Sequence, residues 1–115
     1  MRKRLVILGG GESGVGAALL AKQKGYETFL FDEGSLKDGY RNELKTSQIP
    51  FAEGEVDEAL ILSADEVVKS PGIPEKNAWV KKIRAKGIPV ISEIELAYRY
   101  KGDSKIIAIT GSNGK

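Results

Sequence analysis

The sequence predicts an α/β fold, a parallel sheet with helices on both of its faces. Three observations carry this expectation. Short apolar runs such as Leu5 to Leu8 have the form of strands buried on both faces. Strand-like runs alternate along the chain with segments of helical spacing. A glycine cluster directly follows the first run in "RLVILGGGESG", where open parallel sheets carry their ligand loops. With that loop the expected architecture is Rossmann-like.

The elements follow in order. After the glycines, Val15, Ala18 and Leu19 have helical spacing; Lys22 and Lys24 fall in the last turn, and Gly25 takes the C′ position. "ETFLFD" reads as a second buried strand ending at Asp32. Tyr40 to Ser47 is expected to be helical and to stop at Pro50, with "FAEG" a short edge strand and "DEALIL" one or two helical turns. "EVVKS" is a strand that runs into the loop "SPGIPEKN". From Ala78 to Lys86 a helix places Trp79, Val80 and Ile83 inward, and Gly87 closes it. "PVIS" is a strand, and Ser92 with Glu95 forms a capping-box signature for a helix through Tyr100.

The 115 residues suffice for one domain with a core and are too few for two. Residues 1–100 read as that domain, and 101–104 ("KGDS") as a linker without an apolar residue. Residues 105–115 read as the first strand and partial phosphate loop of a following domain. The apolar strand Ile106 to Ile109, cut from its own sheet, is expected either to be disordered or to pair through its exposed edge, the second giving a dimer through residues 105–110.

Composition narrows the chemistry. A formal charge of +2 with interspersed signs offers no field to recruit nucleic acid or a membrane. These residues contain no cysteine and no histidine, which removes disulfides, thiolate catalysis and imidazole or cysteine metal ligation; no metal site is expected. No apolar run approaches the length of a membrane span and the N-terminus lacks a signal-peptide core, so a cytoplasmic location is expected.

Gly9, Gly11 and Gly14 satisfy G-x-G-x-x-G between a strand and a helix, and Asp32 ends the next strand 18 residues beyond Gly14. Glycines let backbone approach a phosphate, and the helix N-terminus offers free N–H groups and partial positive charge. Asp32 can accept from a ribose diol or a base N–H, and Ser13 offers a hydroxyl. Glu12 inside a diphosphate cradle is repulsive unless it points away. The same glycines would also serve close helix–sheet packing alone. Ser70, Pro71 and Gly72 of "SPGIP" leave a strand on the same edge of the sheet; the loop reads equally as a ligand contact or a rigid turn.

The last residues, "TGSNGK", depart from a full Walker-type loop, since Ile109 stands where that loop has glycine. After an apolar strand, this stretch resembles the nucleotide loop of the Mur ligases. "GGGESG", "FD", "KSPGIP" and "SEIEL" resemble the D-glutamate-adding branch of that family, in the right order and across the whole chain. The resemblance implies an N-terminal piece of a three-domain, amide-forming ligase, cut at the lysine of the central domain's loop and not catalytic alone. Its substrate would be UDP-N-acetylmuramoyl-L-alanine, in peptidoglycan precursor synthesis, with D-glutamate, ATP and Mg2+ used by the complete enzyme.

By the same resemblance, Ser13 would donate to a phosphate oxygen, Asp32 would accept from the uracil, and Glu33 would line the base. Glu12 with Gly14, and Ser70 and Pro71 with Gly72, would complete the substrate site. Gly111, Ser112, Asn113, Gly114 and Lys115 would form part of the ATP loop. Two other readings stay open at this level: a small NAD-binding Rossmann module, and a structural Rossmann-like domain with no small ligand of its own.

Overall fold

The computed structural model describes residues 3–101. Five strands form one parallel sheet in the order β3-β2-β1-β4-β5. They are β1 (Arg4–Leu8), β2 (Glu27–Asp32), β3 (Phe51–Glu53), β4 (Glu66–Lys69) and β5 (Val90–Ser92). The helices are α1 (Glu12–Gln23), α2 (Asp38–Thr46), α3 (Glu58–Leu62), α4 (Ala78–Ala85) and α5 (Glu93–Lys101).

The alternation of side chains on β1 divides the core in two. Leu5 and Ile7 join Val15, Ala18 and Ala21 of α1, Leu44 of α2 and Leu96 of α5 on one face. Val6 and Leu8 join Phe31 and Val67 with Ile61 of α3 and Val80 and Ile83 of α4 on the other. This is why the run from Leu5 to Leu8 is apolar throughout: β1 is the central strand and each side of it meets a helix layer. Each fully buried valine, leucine, isoleucine or phenylalanine among them contributes about 1.5–3 kcal/mol.

The element order agrees with the sequence reading, and one detail differs. Helix α2 begins at Asp38 and ends at Thr46, before Pro50 is reached. Its stop is Gln48, which takes the left-handed conformation (φ 60°), while Ile49 N donates back to the Leu44 carbonyl. Trp79 packs inward as expected, half-buried, and its ring meets Phe31 edge-on at 5.7 Å.

Ser92 caps α5 as its spacing implies, accepting from Glu95 N at 3.0 Å. Near its far end, Arg99 holds both oxygens of Glu66 (3.0 and 2.8 Å) and donates to the Tyr26 hydroxyl (3.1 Å). The Tyr100 hydroxyl bonds that of Tyr26 at 2.7 Å. Lys101 is still helical. The remaining linker, the expected strand and dimer segment 105–110, and the loop Gly111–Lys115 lie outside the described residues.

Candidate functional site

Strand order reverses between β1 and β4: the chain winds from β1 outward to β2 and β3, then returns to lay β4 and β5 on the other side. Parallel sheets open a crevice at such a point, beyond the C-terminal ends of the strands. Two sequence-predicted loops meet there, Gly9–Gly11 after β1 and Ser70–Asn77 after β4. Leu8 pairs with Lys69 in register, and Ser70 N donates to the Leu8 carbonyl at 3.1 Å.

The glycines divide by function. Gly9 has φ 99°, and a Cβ there would stand 2.8 Å from Ser70 Cβ. At Gly14 it would stand 1.9 Å from the Gly9 carbonyl oxygen, so α1 can sit on the loop only without a side chain. The third sterically required glycine is Gly10 and not Gly11: a Cβ on Gly10 would fall 1.9 Å from Leu36 Cδ2. Gly11, counted within the motif, has no neighbour within 4 Å, and neither has Gly72. These two glycines leave backbone open to approach, whereas Gly9, Gly10 and Gly14 serve packing.

Gly11 is the N-cap of α1 and supplies no side-chain cap. The first turn therefore presents N–H groups and the positive end of the helix dipole at this edge. Glu12 and Ser13 are exposed there.

Asp32 is already engaged within the protein. Its Oδ2 accepts from Gly10 N at 2.7 Å and its Oδ1 from Gly34 N at 2.8 Å. Each oxygen retains acceptor capacity, so a ligand donor can still be met. Glu33 is exposed, and its Oε1 accepts from Asn77 Nδ2 at 2.9 Å. Pro71 and Gly72 are exposed, and Ser70 is half-buried against Gly9.

Sequence reasoning missed several residues that hold these loops. Lys69 Nζ donates to the Ile73 carbonyl at 2.7 Å and stands 3.8 Å from Glu75 Oε2, so the end of β4 braces its own loop. Asn77 caps α4, its Oδ1 accepting from Trp79 N at 2.8 Å and Val80 N at 3.4 Å. An asparagine directly before a helical run was a readable signal for that cap. Glu53, at the end of β3, accepts from Leu36 N (2.6 Å) and Arg41 (2.7 Å), which fixes the segment after Asp32. The Arg41 hydrogen bond, followed by that of Leu36 N, holds the Glu53 carboxyl below its ordinary value. Glu93 opens α5 at this edge, and its Oε2 is buried without a hydrogen-bond partner.

Among the described residues, no group of three or more acidic, histidine or cysteine side chains could hold a metal ion, and no helix is long and apolar enough to cross a membrane. A half-open cavity of about 190 Å³ lies at the opposite end of the sheet, lined by Arg4, Glu27, Thr28, Phe29, Pro50 and Leu60. It is remote from the crevice and shares none of its residues.

Solved structures share this architecture. The Thermotoga maritima UDP-N-acetylmuramate-alanine ligase superposes with a TM-score of 0.75 at 16% identity, over 90% of this chain and 24% of that one. A pseudomurein peptide ligase type C from Methanothermus fervidus also gives 0.75, at 24% identity, over 86% and 20%. An imine reductase from Myxococcus stipitatus in complex with NAD+ gives 0.55 at 14% identity, over 80% and 40%. These likenesses establish the fold.

Sequence relatives are nearer. The UDP-N-acetylmuramoylalanine--D-glutamate ligase of Bacteroides thetaiotaomicron is 58% identical over 113 residues, which are 98% of this chain and 25% of that protein. The Cytophaga hutchinsonii protein of the same name is 56% identical over 116 residues, 100% of this chain and 26% of its own length. The chain thus spans about a quarter of the length of the curated relatives it matches. They do not favour the NAD-binding alternative. The family model for the Mur ligase MurD-like N-terminal domain matches residues 3–92, which hold all five strands of the sheet and the crevice loops, and the chain belongs to that family.

Proposed function

We propose that this chain is the substrate-recognition domain of a cytoplasmic ligase that adds D-glutamate to UDP-N-acetylmuramoyl-L-alanine in peptidoglycan synthesis. The observation that carries this reading is the open backbone at Gly11 and Gly72, one on each side of the β1–β4 crevice, beside an uncapped helix N-terminus. Such a pair suits a diphosphate, whose oxygens need N–H donors at close approach and no side chains in the way. Ser13 adds a hydroxyl donor. Asp32, with Glu33 next to it, faces the base end, where its remaining lone pairs would take the uracil N–H. Glu12 reaches out from the first turn, and its methylenes would cover part of the base. Ser70 and Pro71 set the path of the backbone into Gly72, and Gly14 keeps the helix close to the loop.

In the complete ligase, ATP with Mg2+ would activate the alanyl carboxylate for attack by the D-glutamate amine. Gly111, Ser112, Asn113, Gly114 and Lys115 would contribute to the phosphate loop that holds ATP. The described residues bind and orient the UDP-sugar and take no part in that activation.

An NMR titration of the labelled chain with UDP and, separately, with NAD tests the reading. Saturable shifts at Ser13, Asp32 and Gly72 with UDP, and none with NAD, are expected. Shifts with NAD alone would overturn it.

A further inference from the structure

One amide side chain joins the two sides of the crevice. Asn77 Oδ1 accepts from Trp79 N and Val80 N of α4, so its nitrogen is the end that faces Glu33. Nδ2 then donates to Glu33 Oε1 at 2.9 Å, a contact between residues 44 positions apart. Glu33 directly follows β2, and Asn77 closes the loop that leaves β4. Because β1 lies between β2 and β4, this bond passes across the end of the strand that carries the glycine loop. The edge-on contact of Phe31 with Trp79 runs beside it, two residues before Glu33 and two after Asn77.

We infer that Asn77 is a positioning residue: it fixes the separation of the loop after Asp32 from the Ser70–Gly72 loop, and with it the width of the site. The cap alone does not ask for asparagine. Serine, threonine and aspartate cap as well, but a carboxylate has no donor for Glu33 and a hydroxyl is too short to cap the helix and reach it; the amide does both. Residue 77 is therefore matched to a carboxylate on the opposite loop as well as to its own helix. The consequence for UDP rests on the function proposed above; the consequence for the loops does not.

The test uses the whole chain with two substitutions at Asn77, each with and without E33Q. N77D keeps the cap and sets a carboxylate against Glu33, while N77S keeps a capping hydroxyl that cannot reach it. Both should melt close to the unsubstituted protein. In both, ¹⁵N relaxation without ligand should show residues 33–36 and 70–76 loosened. UDP affinity should fall about fivefold, the scale of one partly exposed hydrogen bond to a charged group. Adding E33Q should restore the loop relaxation of N77D, because the new amide can donate to the new carboxylate, and should not restore that of N77S; UDP affinities are compared only among chains that keep Glu33. Unchanged loop relaxation in N77D and N77S would overturn the inference, as would failure of E33Q to restore the loops of N77D. Loosened loops with unaltered UDP affinity would also overturn it. If the unsubstituted chain shows no UDP shifts, the nucleotide reading fails, and the relaxation cycle still decides whether Asn77 sets the loops.

Discussion

Asp32 Oδ2 accepts from the backbone N–H of Gly10 at 2.7 Å, which ties the end of β2 to the glycine loop of β1. With Oδ1 on Gly34 N, one carboxylate holds two chain reversals in place. Asp32→Ala leaves two backbone donors without that acceptor and should cost about 1–3 kcal/mol. Asp32→Asn keeps one acceptor and should cost less. Urea unfolding of both variants checks the order, and an unchanged midpoint for Asp32→Ala would show that the loop holds without it.

The glycines of the loop should separate into two classes on substitution by alanine. Gly14→Ala pushes a Cβ into a backbone oxygen that cannot move aside, and should destabilise by about 3 kcal/mol. Gly10→Ala meets the far end of Leu36, which can swing, so about 1–2 kcal/mol is expected. Gly11→Ala enters open space and should leave stability within about 1 kcal/mol. It should nevertheless weaken UDP binding about tenfold, the loss of one close N–H contact. Melting curves paired with UDP titrations distinguish these outcomes.

The sheet was legible because β1 must bury both faces, so its apolar run, its glycine boundary and the alternation after it all point one way. The candidate edge was legible for the same reason: "GGGESG" and "SPGIP" both follow strands. Which glycine does what was hidden, since the spacing picks Gly11 while the crowding at Gly10 comes from Leu36, 26 positions on. The braces were hidden likewise. Glu33 with Asn77 and Glu53 with Arg41 are tertiary pairs, and no local period announces them. The end of α2 was placed within a residue, but what stops it was hidden, because Gln48 adopts a backbone conformation more usual for glycine or asparagine.

Acid should unfold the domain in a defined window. Hydrogen bonds from Arg99 to Glu66, Arg41 to Glu53 and Arg84 to Glu75 each hold a carboxyl below its ordinary 4.5. A carboxyl depressed in the folded state stabilises it fully above the unfolded value. That contribution is lost as pH falls through the folded value. Melting temperature should therefore hold near neutrality and fall below about pH 4.5. Glu66→Gln should melt lower at pH 7 and show a shallower acid decline. An acid limb parallel to that of the unsubstituted protein would rule out a part for Glu66.

Lys69 offers the sharpest contrast between bracing a loop and binding a phosphate. Its side chain is mostly buried, and its ammonium donates to the carbonyl of Ile73, the residue after Gly72, at 2.7 Å. Lys69→Met preserves the aliphatic stem and removes the donor, at a cost of about 1 kcal/mol in stability. Loss of the brace should let Gly72 shift and weaken UDP binding several-fold. If the ammonium acts only through the loop, affinity should keep its dependence on salt concentration, because no ligand charge has lost its partner. A direct phosphate contact would instead flatten that dependence along with the affinity. Titrations of UDP at low and high salt, on Lys69→Met and the unsubstituted chain, decide between bracing and direct binding.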